Sequence, residues 1–218
     1  MPNNDIGDLT KESQDEIIQP TVARQNSSVV PLVVSTAFSH PLDENLCNLL
    51  IQEIENNSKE FRTGLTGNFS SPDYFMLKKI RNSEVYFLPV NHWAYGIVWN
   101  YVKIANDENW QLDISNVQTI QITKYSEGGF YNWHHDFSAN KNDPNYFRKL
   151  SITIQLNDPS EYEGGVLQLL DYSNRRIDCE RKKGHVCVFS GRAPHRVTKI
   201  KSGVRYSLVA WIVGPQLR

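Results

Sequence analysis

The sequence predicts a mainly β fold with flanking α-helices, built as a double-sheet barrel or sandwich whose helices back one sheet. Three observations carry this. The apolar period changes from helical to twofold near residue 115. Seven short β-rich runs follow, divided by turn formers such as "NDPSEYEGG" and "YSNR". Two amphipathic segments precede them and need an apolar surface to cover.

Residues 1–28 are polar and weakly periodic, and read as a flexible arm with at most a short helix near Glu12–Ile18. Residues 29–218 then form a single domain, with helical support over 29–114 and a barrel core over 115–215. "VVPLVVSTAF" reads as a first strand. "DENLCNLLIQEIENNS" puts Leu46, Leu49, Leu50 and Ile54 on one helical face, capped by Ser39 or Asp43. A second helix starts near Asn91, with Ala94, Ile97, Val98, Tyr101 and Ala105 at helical spacing. The strand runs are "VQTIQITKY", "KLSITIQLN", "GVLQLLD", "RRIDCE", "HVCVFS", "HRVTKI" and "RYSLVAWIV".

Composition narrows the function classes. A formal charge of −1 over 218 residues gives no general pull toward nucleic acid or a membrane surface. No apolar run approaches the roughly 18 residues of a membrane span, and the first twenty residues lack a signal-peptide layout. Cys47, Cys179 and Cys187 are odd in number and scattered, so they read as free thiols in a reducing, cytoplasmic setting.

The candidate chemistry begins at "YNWHHDF". In an extended chain His134 and Asp136 share a face, and His135 points away. His195 opens a later strand just after a turn, where a sandwich folding back on itself brings it beside His134. Two imidazoles and a carboxylate suit non-haem Fe(II) with open positions, and also suit zinc with a bound water. Arg205 lies ten residues after His195, with Ser207, Val209 and Trp211 on its face of the strand. A buried guanidinium needs an anion, either a protein carboxylate or a dicarboxylic cosubstrate. His40, His92 and His185 lack partners at ligand spacing and read as surface or cap residues. Tyr131 and Trp133 stand where they can border a substrate, and "RRIDCERKK" reads as a solvated strand face.

"YSEGGFYNWHHD" fits Tyr-x-x-Gly-x-x-Tyr-x-x-His-x-Asp, and "HRVTKIKSGVR" supplies a distal His with an Arg ten residues on. With "RKLSITIQLNDPSEYEGGVLQL" between them, these resemble the 2-oxoglutarate- and Fe(II)-dependent dioxygenases of the prolyl 4-hydroxylase-like, PKHD-type branch, over roughly Ser83 to Pro215. The resemblance implies a double-stranded β-helix, or jelly roll. It implies His134, Asp136 and His195 as iron ligands and catalytic centre, with Arg205 and Tyr125 holding 2-oxoglutarate. It also implies O2 as cosubstrate and ascorbate as an accessory reductant. Tyr131, Arg148 and Trp211 match substrate-pocket positions, and Gly164 and Gly165 match a turn into the next barrel strand. Asp136 is present where related halogenases carry a small residue. Arg205 stands where prolyl 4-hydroxylases often use Lys, so the substrate of the animal collagen enzymes does not carry over.

The implied function is hydroxylation of an unactivated C–H, in a prolyl or similar residue of a peptide or protein. The alternative is a free amino acid or small metabolite. A nucleic-acid demethylase on this fold would show a broader basic surface, and a binder without catalysis has no need of the full ligand set with Arg205. Two turn-rich segments, near residues 59–75 and over 137–147, read as loops that wall a substrate groove.

Overall fold

A computed structural model describes residues 33–57, 60–64, 79–138 and 146–216. The N-terminal arm, the short helix near Glu12–Ile18 and most of the two loop segments lie outside the described residues.

The chain runs β1 (Ser35–Ala37), α1 (Glu44–Asn56), β2 (Arg62–Thr63), β3 (Arg81–Asn82), β4 (Glu84–Phe87) and α2 (Ala94–Asn109). It continues through β5 (Asn116–Tyr125), β6 (Phe130–His134), β7 (Phe147–Gln155), a 3-10 turn at Pro159–Glu161, β8 (Tyr162–Gly164) and β9 (Leu167–Leu170). β10 (Arg176–Asp178), β11 (Val186–Ser190), β12 (His195–Val197), β13 (Ile200–Gly203) and β14 (Arg205–Gly214) complete it. The major sheet has the order β1-β11-β7-β14-β5-β4-β2 and the minor sheet β10-β9-β12-β6-β3, with β13 and β8 forming a separate ribbon. Every strand pair described is antiparallel. This is the jelly-roll arrangement, with both helices on the major sheet.

Twofold alternation sorts the major sheet into two faces. Ile120 and Ile122 of β5, Leu150, Ile152 and Ile154 of β7, Val186 and Val188 of β11, and Leu208, Ala210 and Ile212 of β14 meet the helices in the main core. The helices contribute Cys47, Leu50 and Ile54 from α1 and Val98, Val102 and Ala105 from α2. A second apolar cluster, including Tyr125, Leu169, Phe189 and Val197, lies between the sheets. The inner face of the major sheet is otherwise polar: Gln121, Thr123, Ser151, Thr153, Gln155, Arg205 and Ser207 are all buried there. A buried polar face is costly unless something pairs with it, so this face marks the functional side.

Several expectations are corrected in detail. Asp43, not Ser39, caps α1, its Oδ1 accepting from the Asn45 N–H at 2.8 Å. Leu49 is exposed, because the core-facing positions are Cys47, Leu50 one turn on and Ile54 two turns on. α2 begins at Ala94, whose N–H donates to His92 Nδ1 at 3.1 Å, so His92 is a cap residue as expected. His185 is buried, not on the surface, beside Glu180 at 3.3 Å. The stretch read as a turn around "EYEGG" instead contains β8, and "KEFRT" contains β2. Among the described residues no helix is long and apolar enough to cross a membrane.

Candidate active site

β6 and β12 are neighbours in the minor sheet, and their register sets His195 directly opposite His134. Asp136 sits just beyond the end of β6, where the Phe137 N–H donates to Gly191 O at 2.7 Å and ties it to the turn before His195. The three side chains thus converge, His134 and Asp136 through their shared strand face and His195 through the pairing of β12 with β6, each offering a ligand atom, all within 4.8 Å of one another. His195 Nε2 lies 3.5 Å from Asp136 Oδ2, and His134 Nε2 lies 3.8 Å from Oδ1. His135 is exposed and takes no part.

The groups behind this trio orient it. His134 Nδ1 donates to Asn132 O at 2.7 Å and His195 Nδ1 to Ala193 O at 2.9 Å, since a carbonyl can only accept. Both Nε2 lone pairs are left for a cation. Burial, reinforced by His195, pushes the His134 imidazole down to about 3, so it is neutral. Burial would raise the Asp136 carboxyl, but the two imidazoles and the Ser151 hydroxyl, donating to Oδ2 at 2.7 Å, hold it below the usual carboxylate range. Two imidazoles presenting Nε2 and an ionised carboxylate, on one side of an open pocket of about 420 Å³, fit a divalent metal with free positions.

Arg205 lines the same pocket and is 1% exposed. Its Nε donates to Gln155 Oε1 and its Nη1 to Ser207 Oγ, both at 3.1 Å. Nη2 has no partner, and no carboxylate pairs with Arg205 among the described residues. The ordinary salt bridge is therefore not its role. Tyr125 is its cross-strand neighbour from β5, with the guanidinium 5.5 Å from the ring centroid. Gly165, at φ +61°, makes the room: a Cβ there would stand 2.9 Å from Arg205 Cδ and 2.5 Å from Ile200 Cδ1. A buried, incompletely satisfied guanidinium facing a metal-ready pocket fits an anionic cosubstrate.

The remaining predicted residues divide. Tyr131 stacks on His134 with centroids 3.5 Å apart and lines the pocket. Trp211 lines it too, with its buried indole N–H unpartnered. Arg148 does not line this pocket. It lies over the Trp211 ring at 4.2 Å and opens onto an adjoining groove. Trp133 is exposed on the outer face beneath Arg196, so it does not border the pocket. Sequence reasoning missed Arg81, which is buried, donates to Ser83 Oγ at 2.7 Å and stacks over Tyr131. It also missed Ser151, although the alternating Ser, Thr and Gln of "SITIQ" signal a polar inner face.

The model of the "2OG-Fe(II) oxygenase superfamily" matches residues 120–213, the stretch that carries all four of His134, Asp136, His195 and Arg205. Over that stretch, less than half of the chain, the sequence is similar to that superfamily. A PKHD-type hydroxylase of Synechococcus sp. (strain CC9605) is 31% identical over 99 residues, covering 45% of this chain and 43% of the relative. The chain thus spans less than half the length of the first curated relatives it matches. The jelly roll is also similar to that of a Pseudomonas putida prolyl-4-hydroxylase, with a TM-score of 0.64 at 20% identity over 84% of this chain and 93% of that one. A prolyl hydroxylase from Trichoplax adhaerens, solved with a hypoxia-inducible-factor peptide fragment, gives a TM-score of 0.66 at 17% identity over 83% of each chain.

Proposed function

We propose that the chain is an Fe(II)- and 2-oxoglutarate-dependent hydroxylase that adds oxygen to a prolyl or similar residue of a peptide or protein. The observation that carries this is the pairing, in one pocket, of a His-Asp-His set with a buried arginine that lacks a counter-ion. His134, Asp136 and His195 would hold the iron, and Arg205 with Tyr125 would hold the distal carboxylate of 2-oxoglutarate. Bound there, the two supply O2 activation coupled to decarboxylation to succinate and CO2, with one oxygen atom delivered to a C–H bond.

The chain's own residues do the positioning. The carbonyls of Asn132 and Ala193 accept from Nδ1 and so hold both rings with Nε2 aimed at one point. Ser151 keeps Asp136 ionised and fixes its rotamer. The fork of Arg205 is held by Gln155 and Ser207, so a carboxylate meets a guanidinium that needs no rearrangement. Tyr131, whose phenol burial holds protonated well above its usual range, closes one wall against water and orients His134 by stacking. A reducing cytoplasm suits the three free thiols and ferrous iron, and ascorbate would serve to restore ferrous iron after uncoupled turnover.

The test is incubation of the iron-loaded protein with 2-oxoglutarate and either prolyl peptides or free amino acids, read by product mass. A peptide gaining one oxygen atom supports the reading. Oxygen gained only by free amino acids overturns its substrate half, and failure to consume 2-oxoglutarate under any condition overturns the whole.

A further inference from the structure

Beside the metal pocket lies an open groove of about 930 Å³. Its walls are chained to the site. Phe137 directly follows Asp136, and Arg192 stands three residues before His195. Arg148 lies on the ring of Trp211, which faces the metal pocket. The floor is apolar and aromatic, with Trp110, Leu112, Phe147 and Tyr172.

The rim is cationic. Arg148, Lys149 and Arg192 face the groove, and no acidic residue does so among the described residues. None of the three pairs with a carboxylate among the described residues, whereas Lys103, Lys124, Lys201, Arg175 and Arg176 all do. Lys149 is 9% exposed. It sits where β7 and β14 slip register, between Leu150 opposite Ile212 and Arg148 opposite Val213, so it lacks a cross-strand partner on β14. A bulge of this kind re-aims side chains. Asp113 acts on Lys149 from beyond ion-pair distance and does not offset the burial, which holds the Lys149 ammonium below its usual range. With a chain charge of only −1, three unpaired cations in one groove are a local concentration and not an overall basic character.

We propose that this groove binds an acidic stretch of the substrate peptide next to the residue that is hydroxylated. This rests on the peptide reading given above. An apolar floor with a cationic rim takes a chain that alternates apolar and carboxylate side chains. A single-stranded nucleic acid would call for a longer basic track than these three cations, and the chain charge is −1.

The test uses the full chain with Fe(II) and 2-oxoglutarate under anaerobic conditions, and three labelled peptides with one central proline flanked by Glu, Gln or Lys. Fluorescence anisotropy should show the Glu-flanked peptide binding roughly tenfold more tightly than the Gln-flanked one, the order of one charge-assisted contact in a half-buried site. The Lys149→Glu/Arg192→Glu double variant should reverse the order in favour of the Lys-flanked peptide. Arg192 is exposed, so Arg192→Glu alone should shift the preference in the same direction if the double variant does not fold. Equal affinity for the three peptides would overturn the groove assignment and leave the peptide reading standing. Binding of no peptide would overturn both. Displacement of the Glu-flanked peptide by a tighter-binding oligothymidine would assign the groove to nucleic acid and overturn the proposal.

Discussion

Replacing Arg205 with Met should separate the cosubstrate's anchor from the fold. The guanidinium is 1% exposed, holds two neutral acceptors at 3.1 Å and has no counter-ion. Without ligand, loss of the Gln155 and Ser207 contacts costs about 1 kcal/mol each. Removal of a buried, uncompensated charge offsets much of that, so ligand-free Arg205→Met should stay within about 2 kcal/mol of the unaltered protein. With ligand the two diverge. At 2-oxoglutarate 100 times its Kd, binding stabilises the unaltered protein by about 2.7 kcal/mol. For 218 residues that raises Tm by roughly 5–11 °C. Losing the bidentate contact costs about 2–4 kcal/mol, or roughly 30- to 1,000-fold in affinity. The same concentration then lies between roughly 0.1 and 3 times the new Kd, and the stabilisation falls below about 0.9 kcal/mol, under roughly 4 °C. The assay is thermal unfolding with Mn(II) in place of iron, so that nothing turns over. Arg175→Gln, at an arginine whose side chain is 80% exposed, serves as the control and should keep the full shift. If Arg205→Met kept it as well, the carboxylate would be anchored elsewhere and the reading of the pocket would fail.

Two other perturbations probe the supports of the site. Ser151→Ala removes the hydroxyl that donates to Asp136 at 2.7 Å and should weaken metal binding by about 10- to 100-fold, measured by calorimetric titration with Mn(II); unchanged affinity would make Ser151 a bystander. Gly165→Ala places a Cβ 2.5 Å from Ile200 and 2.9 Å from Arg205 at a positive φ. It should cost about 1–3 kcal/mol in urea unfolding and weaken 2-oxoglutarate binding as well; a loss of stability with normal binding would mean that Arg205 tolerates the displacement.

The proposed metal ligands were legible in part because strand alternation and chain order are local properties. His134 and Asp136 share a face at a spacing of two, and Arg205, Ser207, Val209 and Trp211 share another, and both faces turn into one pocket. Pairing between distant segments was not legible. That His195 comes near His134 followed from a sandwich folding back on itself, but the register that sets them directly opposite did not, and the two-residue strands Arg62–Thr63 and Arg81–Asn82 are too short for a period to show. Arg81 was missed for that reason, since its strand places it over Tyr131 only through pairing with β6. The register slip at Lys149 depends on how β7 and β14 meet, so the groove it helps to form was invisible as well. His185 was misjudged because its burial comes from tertiary packing around "KKGH" and not from any period in the sequence.

The central claim is that His134, Asp136 and His195 form one iron centre that drives 2-oxoglutarate turnover. Conversion of 2-oxoglutarate to succinate, measured with and without Fe(II) for the unaltered protein and for His195→Ala and Asp136→Ala, tests it most directly, with circular dichroism to confirm the fold. The account predicts iron-dependent succinate from the unaltered protein and none above background from either folded variant. Succinate formed at the normal rate by folded His195→Ala would contradict it.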